Sequence, residues 1–276
     1  MNQTSAVPVV ASILEVPGAR LHYELRGTGP LVLLVGAPMH AAQFAPLADL
    51  LAVDHMVLTT DPRGVNRSLV EDPDADSTPQ MRADDLARLI AHVGAGRAAV
   101  FGSSGGAVSA LALAQAHPEH VHTVVAHEPP LIELLDDRER RRELTEDYVA
   151  TYLSGDVVGA WRKFLAHANI DLPDEAFEQM FAEQRDPQQV ADEHFWFAHE
   201  LRPSAYWRPD VAALRAGPTR IVVGIGADST GEVCDLTATA LAGALGIEPT
   251  MFPGGHIAFV DDPAGFVPRL RAVLDS

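Results

Sequence analysis

At 276 residues, 47% of them hydrophobic, the chain is long enough for one large α/β domain with an insertion. A formal charge of −18 argues against nucleic acid and against anionic membranes, both of which need a positive footprint. Cys234 is the sole cysteine, which excludes an intramolecular disulfide, and no apolar run reaches the ~20 residues of a membrane span.

Residues Ile13 to Val16 and Leu21 to Arg26 read as a hairpin around Pro17-Gly18. Leu31 to Val35 is apolar throughout, the mark of a central parallel strand. A helix is expected over Ala41 to Leu51, a strand over Met56 to Thr60, and an acidic, proline-bearing loop over Glu71 to Thr78. Gln80 to Val93 reads as an amphipathic helix. A strand from Ala98 to Phe101 then enters a glycine-rich turn, with a helix over Val108 to Ala116 and a strand over Val121 to Ala126 beyond it. Ile221 to Ile225 and Pro249 to Phe252 are the last strands, with helices over Leu236 to Leu245 and Pro263 to Leu274. Alternation of strand and helix predicts a parallel sheet whose ligands bind at the carboxyl ends of the strands. From Leu131 to Asp210 the alternation stops and helical patterns take over, so residues 131–210 are expected to form an inserted helical cap on a core of 1–130 and 211–276. The N-terminal stretch has no Lys or Arg ahead of its apolar residues and does not read as a signal peptide, so a cytoplasmic location is expected.

The turn itself reads Gly102-Ser103-Ser104-Gly105-Gly106, a Gly-x-Ser-x-Gly between strand and helix. A turn tight enough to lift one side chain above the sheet puts that residue at an unfavourable backbone angle. The residues two positions to either side must then be very small. This makes Ser104 the candidate nucleophile. A serine hydroxyl needs a base, and His256, in Gly254-Gly255-His256 after the last strand, is placed to be one. The base in turn needs a carboxylate at Nδ1. Glu128, 24 residues after Ser104 in His127-Glu128-Pro129-Pro130, and Asp228, in Gly226-Ala227-Asp228, both end apolar strands, and Glu128 is favoured. The turn Val35-Gly36-Ala37-Pro38 also ends a buried strand. His117, His120 and His122 cluster around Pro118 but lack a shared face, and no metal site is expected.

Together these residues resemble the α/β-hydrolase superfamily over nearly the whole chain. The resemblance implies a mostly parallel central sheet with flanking helices and an inserted cap. It also implies the chain order nucleophile, acid, histidine, with an oxyanion hole from the backbone N–H groups of Ala37 and Gly105. Asp61-Pro62-Arg63-Gly64-Val65-Asn66-Arg67-Ser68 is similar to that fold's Asp-x-Arg-Gly-x-Gly-x-Ser loop, with Asn66 in place of a glycine. Where many members have His-Gly, this chain has Val35-Gly36. The His-Glu-x-Pro run looks like that of zearalenone-type lactonases, a capped branch in which this Glu is the triad acid. The expected activity is therefore cofactor-independent hydrolysis of a small hydrophobic or aromatic ester or lactone, a resorcylic macrolactone being the first to try. His40, Trp196 and Trp207 are expected to touch it. Carbon–carbon hydrolysis and perhydrolysis use the same triad, and a non-catalytic binding protein on this fold is the rival from another class. A serine at the elbow excludes the aspartate-dependent branches. A homo-oligomer is compatible with the sequence.

Overall fold

The computed structural model describes residues 7–181 and 185–275. Residues 1–6 and Ser276 of the predicted core, and 182–184 of the predicted cap, lie outside the described residues. Among the described residues nine strands form one sheet: β1 (Val9–Val16), β2 (Ala19–Arg26), β3 (Leu31–Val35), β4 (Met56–Thr60), β5 (Leu69–Val70), β6 (Ala98–Ser103), β7 (Val121–His127), β8 (Arg220–Gly226) and β9 (Thr250–Phe252). Their spatial order is β1-β2-β4-β3-β6-β7-β8-β9, with β5 paired to β2. The pairs β1/β2, β2/β4 and β2/β5 are antiparallel and all others are parallel.

The helices of the first half are α1 (Ala41–Leu51), α2 (Pro79–Val93) and α3 (Gly105–Ala116). Between β7 and β8 lie α4 (Arg138–Leu153), α5 (Val157–Ala168), α6 (Asp174–Phe181), α7 (Pro187–Phe195), a π turn (Trp196–Glu200), α8 (Leu201–Ala205) and α9 (Val211–Ala216). The chain closes with α10 (Val233–Leu245), α11 (Ala258–Asp261) and α12 (Pro263–Leu274).

Alternation along β3 divides the core in two. Leu31, Leu33 and Val35 join one apolar cluster with residues of α2, α3 and α10, whereas Val32 and Leu34 join another with α1, α11 and α12. Side chains of a strand point to opposite faces in turn, so a strand covered on both sides must be apolar at every position. The alanine-rich α3 is buried at ten of its positions, from Gly105 to Ala114. Its small side chains let it lie close against the sheet, and a Cβ at Gly106 would run into the Val35 carbonyl.

Chain direction reverses at β3. The chain steps from β3 to β4 on one side, then returns to place β6 on the other. Crevices of this kind, at the carboxyl ends of diverging strands, are where open α/β sheets bind ligands. The helices between β7 and β8 lie over this end and bury a small core of their own around Tyr148, Tyr152, Phe197 and Leu201. A loop after β4 ties the two parts together: the Asn66 N–H donates to Asp192 of α7 (2.8 Å). Asn66 takes the left-handed conformation that its position demands (φ 53°), and its amide donates to Asp61 (3.0 Å). Asn tolerates that region better than other side chains, which explains how it stands in for glycine.

Candidate active site

Strand register brings the site together. In the parallel pair β6/β7, Ser103 is opposite His127, so the next residues, Ser104 and Glu128, leave neighbouring strands side by side. The Ser104 N–H donates to the His127 carbonyl (3.0 Å), and the Glu128 N–H donates to the Gly224 carbonyl of β8 (3.0 Å). Both residues sit at positive φ, 55° and 50°. Such angles are disfavoured for residues with a Cβ and persist only where the surroundings enforce them. Around Ser104 the crowding falls on the two glycines: a Cβ at Gly102 would come within 2.5 Å of the Gly106 carbonyl oxygen.

Glu128 is fully buried. Its Oε1 accepts from the Gly226 N–H (2.7 Å) and its Oε2 pairs with His256 Nδ1 (2.5 Å). Burial alone raises its carboxyl pKa. The hydrogen bond from His256, the electrostatic influence of the His127 and His256 rings, and the Gly226 N–H together outweigh that and hold it at about 2. An ionised carboxylate only accepts, so Nδ1 carries the proton in this bond and Nε2 is left as the basic nitrogen.

Asp228, the alternative acid, is exposed on the turn after β8. Its backbone N–H donates to the Gly254 carbonyl (3.0 Å), and so it braces the loop that carries His256. Among the described residues the carboxylate paired with His256 Nδ1 is Glu128, not Asp228. The register explains why. Glu128 follows a strand that lies next to the Ser104 strand, whereas Asp228 lies two residues past the end of the next strand out.

The Ala37 and Gly105 backbones approach closely, since a Cβ on Gly105 would meet the Ala37 carbonyl oxygen at 2.5 Å. Gly105 opens α3, so its N–H is among the helix's first, with no partner inside the helix and at the positive end of its dipole. Ala37, Ser104, Gly105 and His256 all line one cavity of about 150 Å³. Its far wall is Ile132, Tyr148, Phe164, His167, Ile170, Trp196 and Leu201, and Val233 and Cys234 complete one side. Trp196 stacks on Trp161 (ring centroids 5.5 Å apart) and meets Phe164 edge-on (5.3 Å).

Trp207 does not line this cavity. It is buried in the core cluster shared with α3 and α9. His40 is not a lining residue either. It precedes α1, half-buried, and its N–H donates to Gln43 Oε1 (2.9 Å). The lining residues Tyr148, His167, Ser204 and Cys234 carried no local signal, because the cavity forms only where segments far apart in the chain converge.

His127 packs directly behind the site. Its ring lies among Phe101, Phe252, Phe259 and Phe266 and 6.4 Å from the His256 ring, and its Nδ1 pairs with Ser103 Oγ (3.1 Å). Burial pushes its pKa down to about 4, so it stays neutral beside His256.

Among the described residues no helix is long and apolar enough to cross a membrane. The family model described as the alpha/beta hydrolase fold matches residues 29–160. An uncharacterized hydrolase of Bacillus subtilis, YraK, is 31% identical over 269 residues, covering 95% of each chain. A zearalenone hydrolase of Bionectria ochroleuca is 26% identical over 260 residues, 90% of this chain and 91% of that one. A crystal structure of a hydrolase from Pseudomonas aeruginosa superposes over 100% of both chains with a TM-score of 0.69 at 19% identity, a likeness of fold. The sequence match along almost the full chain, joined to this sheet order and strand-end turn, makes the protein a hydrolase of the α/β-hydrolase superfamily.

Proposed function

We propose that the protein is a serine hydrolase of carboxylic esters or lactones, with Ser104 as nucleophile, His256 as base and Glu128 as the acid that orients it. The observation that carries this reading is the Glu128–His256 hydrogen bond (2.5 Å), with His256 and Ser104 lining one apolar cavity. In the first step His256 Nε2 takes the Ser104 hydroxyl proton as Oγ attacks the carbonyl carbon. The carbonyl electrons move to oxygen, and the Ala37 and Gly105 N–H groups stabilise that charge. The tetrahedral intermediate collapses, the carbon–oxygen ester bond breaks, and His256 returns its proton to the leaving alkoxide. Water, deprotonated by the same His256, then attacks the acyl-enzyme and frees Ser104. In a lactone the alkoxide stays tethered, and the product is one ring-opened hydroxy acid. Glu128 keeps the Nδ1 tautomer and stabilises the imidazolium at both stages.

The helices over 131–210 act in this reading as a cap that closes an aromatic wall over the reacting carbonyl. A hydrophobic or aromatic substrate fits that wall. The name of the Bionectria ochroleuca relative makes zearalenone the first macrolactone to test. The test is product analysis with zearalenone, p-nitrophenyl acetate and p-nitrophenyl butyrate, using wild type and Ser104→Ala. Ring opening that depends on Ser104 is the expected result. Ester turnover without ring opening removes the macrolactone and keeps the serine hydrolase. Turnover of none of the three removes the proposal.

A further inference from the structure

Behind the cavity wall lies a buried polar cluster that the chemistry at Ser104 does not use. Arg82 of α2 is 3% exposed. Its Nε donates to Ser109 Oγ (2.8 Å), its Nη1 to the Ser77 hydroxyl (3.0 Å) and carbonyl (2.5 Å), and its Nη2 to Ser204 Oγ (2.7 Å). Ser109 in turn donates to the Gly105 carbonyl (3.0 Å). Glu200 is wholly buried in the neighbouring π turn, and neither of its oxygens has a hydrogen-bond partner. The guanidinium is thus directed at serines rather than at the carboxylate near it.

A buried cation is costly unless its N–H groups are hydrogen-bonded, and bonds from a charged donor are stronger than neutral ones. Among the three serines that Arg82 holds, Ser204 lines the active-site cavity. An oxygen that accepts from a cation keeps its own proton free to donate, and the cation makes that proton a better donor. Around it the wall is apolar: Ile132, Leu201 and Ala205. Arg82 itself does not line this cavity, so a carboxylate placed there would be desolvated with no direct counter-ion. A neutral carbonyl oxygen meets no such penalty.

We propose that Ser204, backed by Arg82, is a specificity-determining donor for a carbonyl oxygen that the substrate carries away from its scissile carbonyl. The inference rests on the ester-hydrolase reading of Ser104. It is tested with p-nitrophenyl esters of straight-chain acids from pentanoate to octanoate, each paired with the oxo-acid esters of the same length whose ketone lies anywhere from carbon four to the penultimate carbon. Wild type is expected to prefer one ketone position over the plain ester by about tenfold or more in kcat/KM. In Ser204→Ala that ratio falls to about one, and Ser204→Cys, which keeps the shape with a far weaker donor, does the same. Wild type with no preferred ketone position overturns the proposal, as does a preference that survives both substitutions. Failure of wild type to cleave any ester overturns the hydrolase reading and this inference with it. Cleavage of plain and oxo esters alike overturns this inference alone.

Discussion

The sheet end and the helices above it build their parts of the site in different ways. At the sheet end, Ser104 and Glu128 are placed by backbone pairing between β6 and β7, and His256 by a loop four residues past β9. Each lies within a short motif, and a change of one residue in register would separate them. Above the sheet, the wall is assembled from side chains of α4, α5, the π turn, α8 and α10, with Ile132 and Ile170 from the connections between elements. No two of those segments are paired by a ladder, and their packing tolerates drift in a way that strand register does not. The comparison teaches that, in the proposed reading, catalysis belongs to the strand ends and selectivity to the helices.

The largest test of that division is Ser104→Ala, for which ester turnover falls by roughly 10⁶ while the melting temperature stays within a few degrees. Steady-state kinetics beside calorimetry reads both, and residual activity above a few percent breaks the assignment. Next in size, Glu128→Gln is expected to lower kcat by roughly 10⁴ through loss of the oriented tautomer. Asp228→Asn is expected to change it by less than about twofold, because an exposed carboxylate that makes no bond to His256 contributes little. Equal losses in the two variants would return the acid to Asp228.

Two tryptophans then separate wall from core. Trp196→Ala is expected to raise KM by about tenfold or more with a smaller effect on kcat, because it removes surface that the substrate covers. Trp207→Ala is expected to cost about 3–5 kcal/mol of stability and leave KM of the folded fraction unchanged. Chemical denaturation and KM measured on both variants distinguish them, and a shared pattern would erase the boundary between wall and core.

The last effect, seen only as a dependence on pH, concerns His127. Its folded pKa of about 4 lies below the ordinary histidine value of 6.5. Between those values the unfolded chain binds a proton that the native state refuses, so stability falls as pH drops from 6.5 to 4. The loss is on the order of 3 kcal/mol. His127→Phe, which cannot titrate, is expected to flatten that slope, and denaturant midpoints across the window read it directly. Glu128 follows with the sign of a depressed carboxylate. Its contribution is present above pH 4.5 and lost as pH falls through about 2.

Legibility in the sequence follows the same line. The bounds of β3, α1, β4 and α12 coincide with the predicted segments because each is a dense apolar or amphipathic run ended by a breaker or a turn. The strand β1 begins four residues earlier than expected. Its outer half is exposed at the sheet edge and so carries no burial pattern to read. The helix α3 opens at Gly105, three residues before the expected start, since two glycines of poor helical propensity sit where only glycine fits. The acid stayed open between two strand-end carboxylates until strand order placed one beside Ser104. The exchange of Trp207 for residues such as Tyr148 and Ser204 was out of reach. Whether an aromatic in a helix faces core or cavity is decided by the docking of that helix, which local periodicity does not encode.

The most direct test of the central claim is a serine-directed phosphonate followed by peptide mass analysis, on wild type and on Glu128→Gln. The account predicts one adduct, on Ser104, with stoichiometric loss of ester turnover and a rate of labelling that drops steeply when Glu128 is changed. An adduct on Ser103, or equal labelling rates in the two proteins, would contradict it.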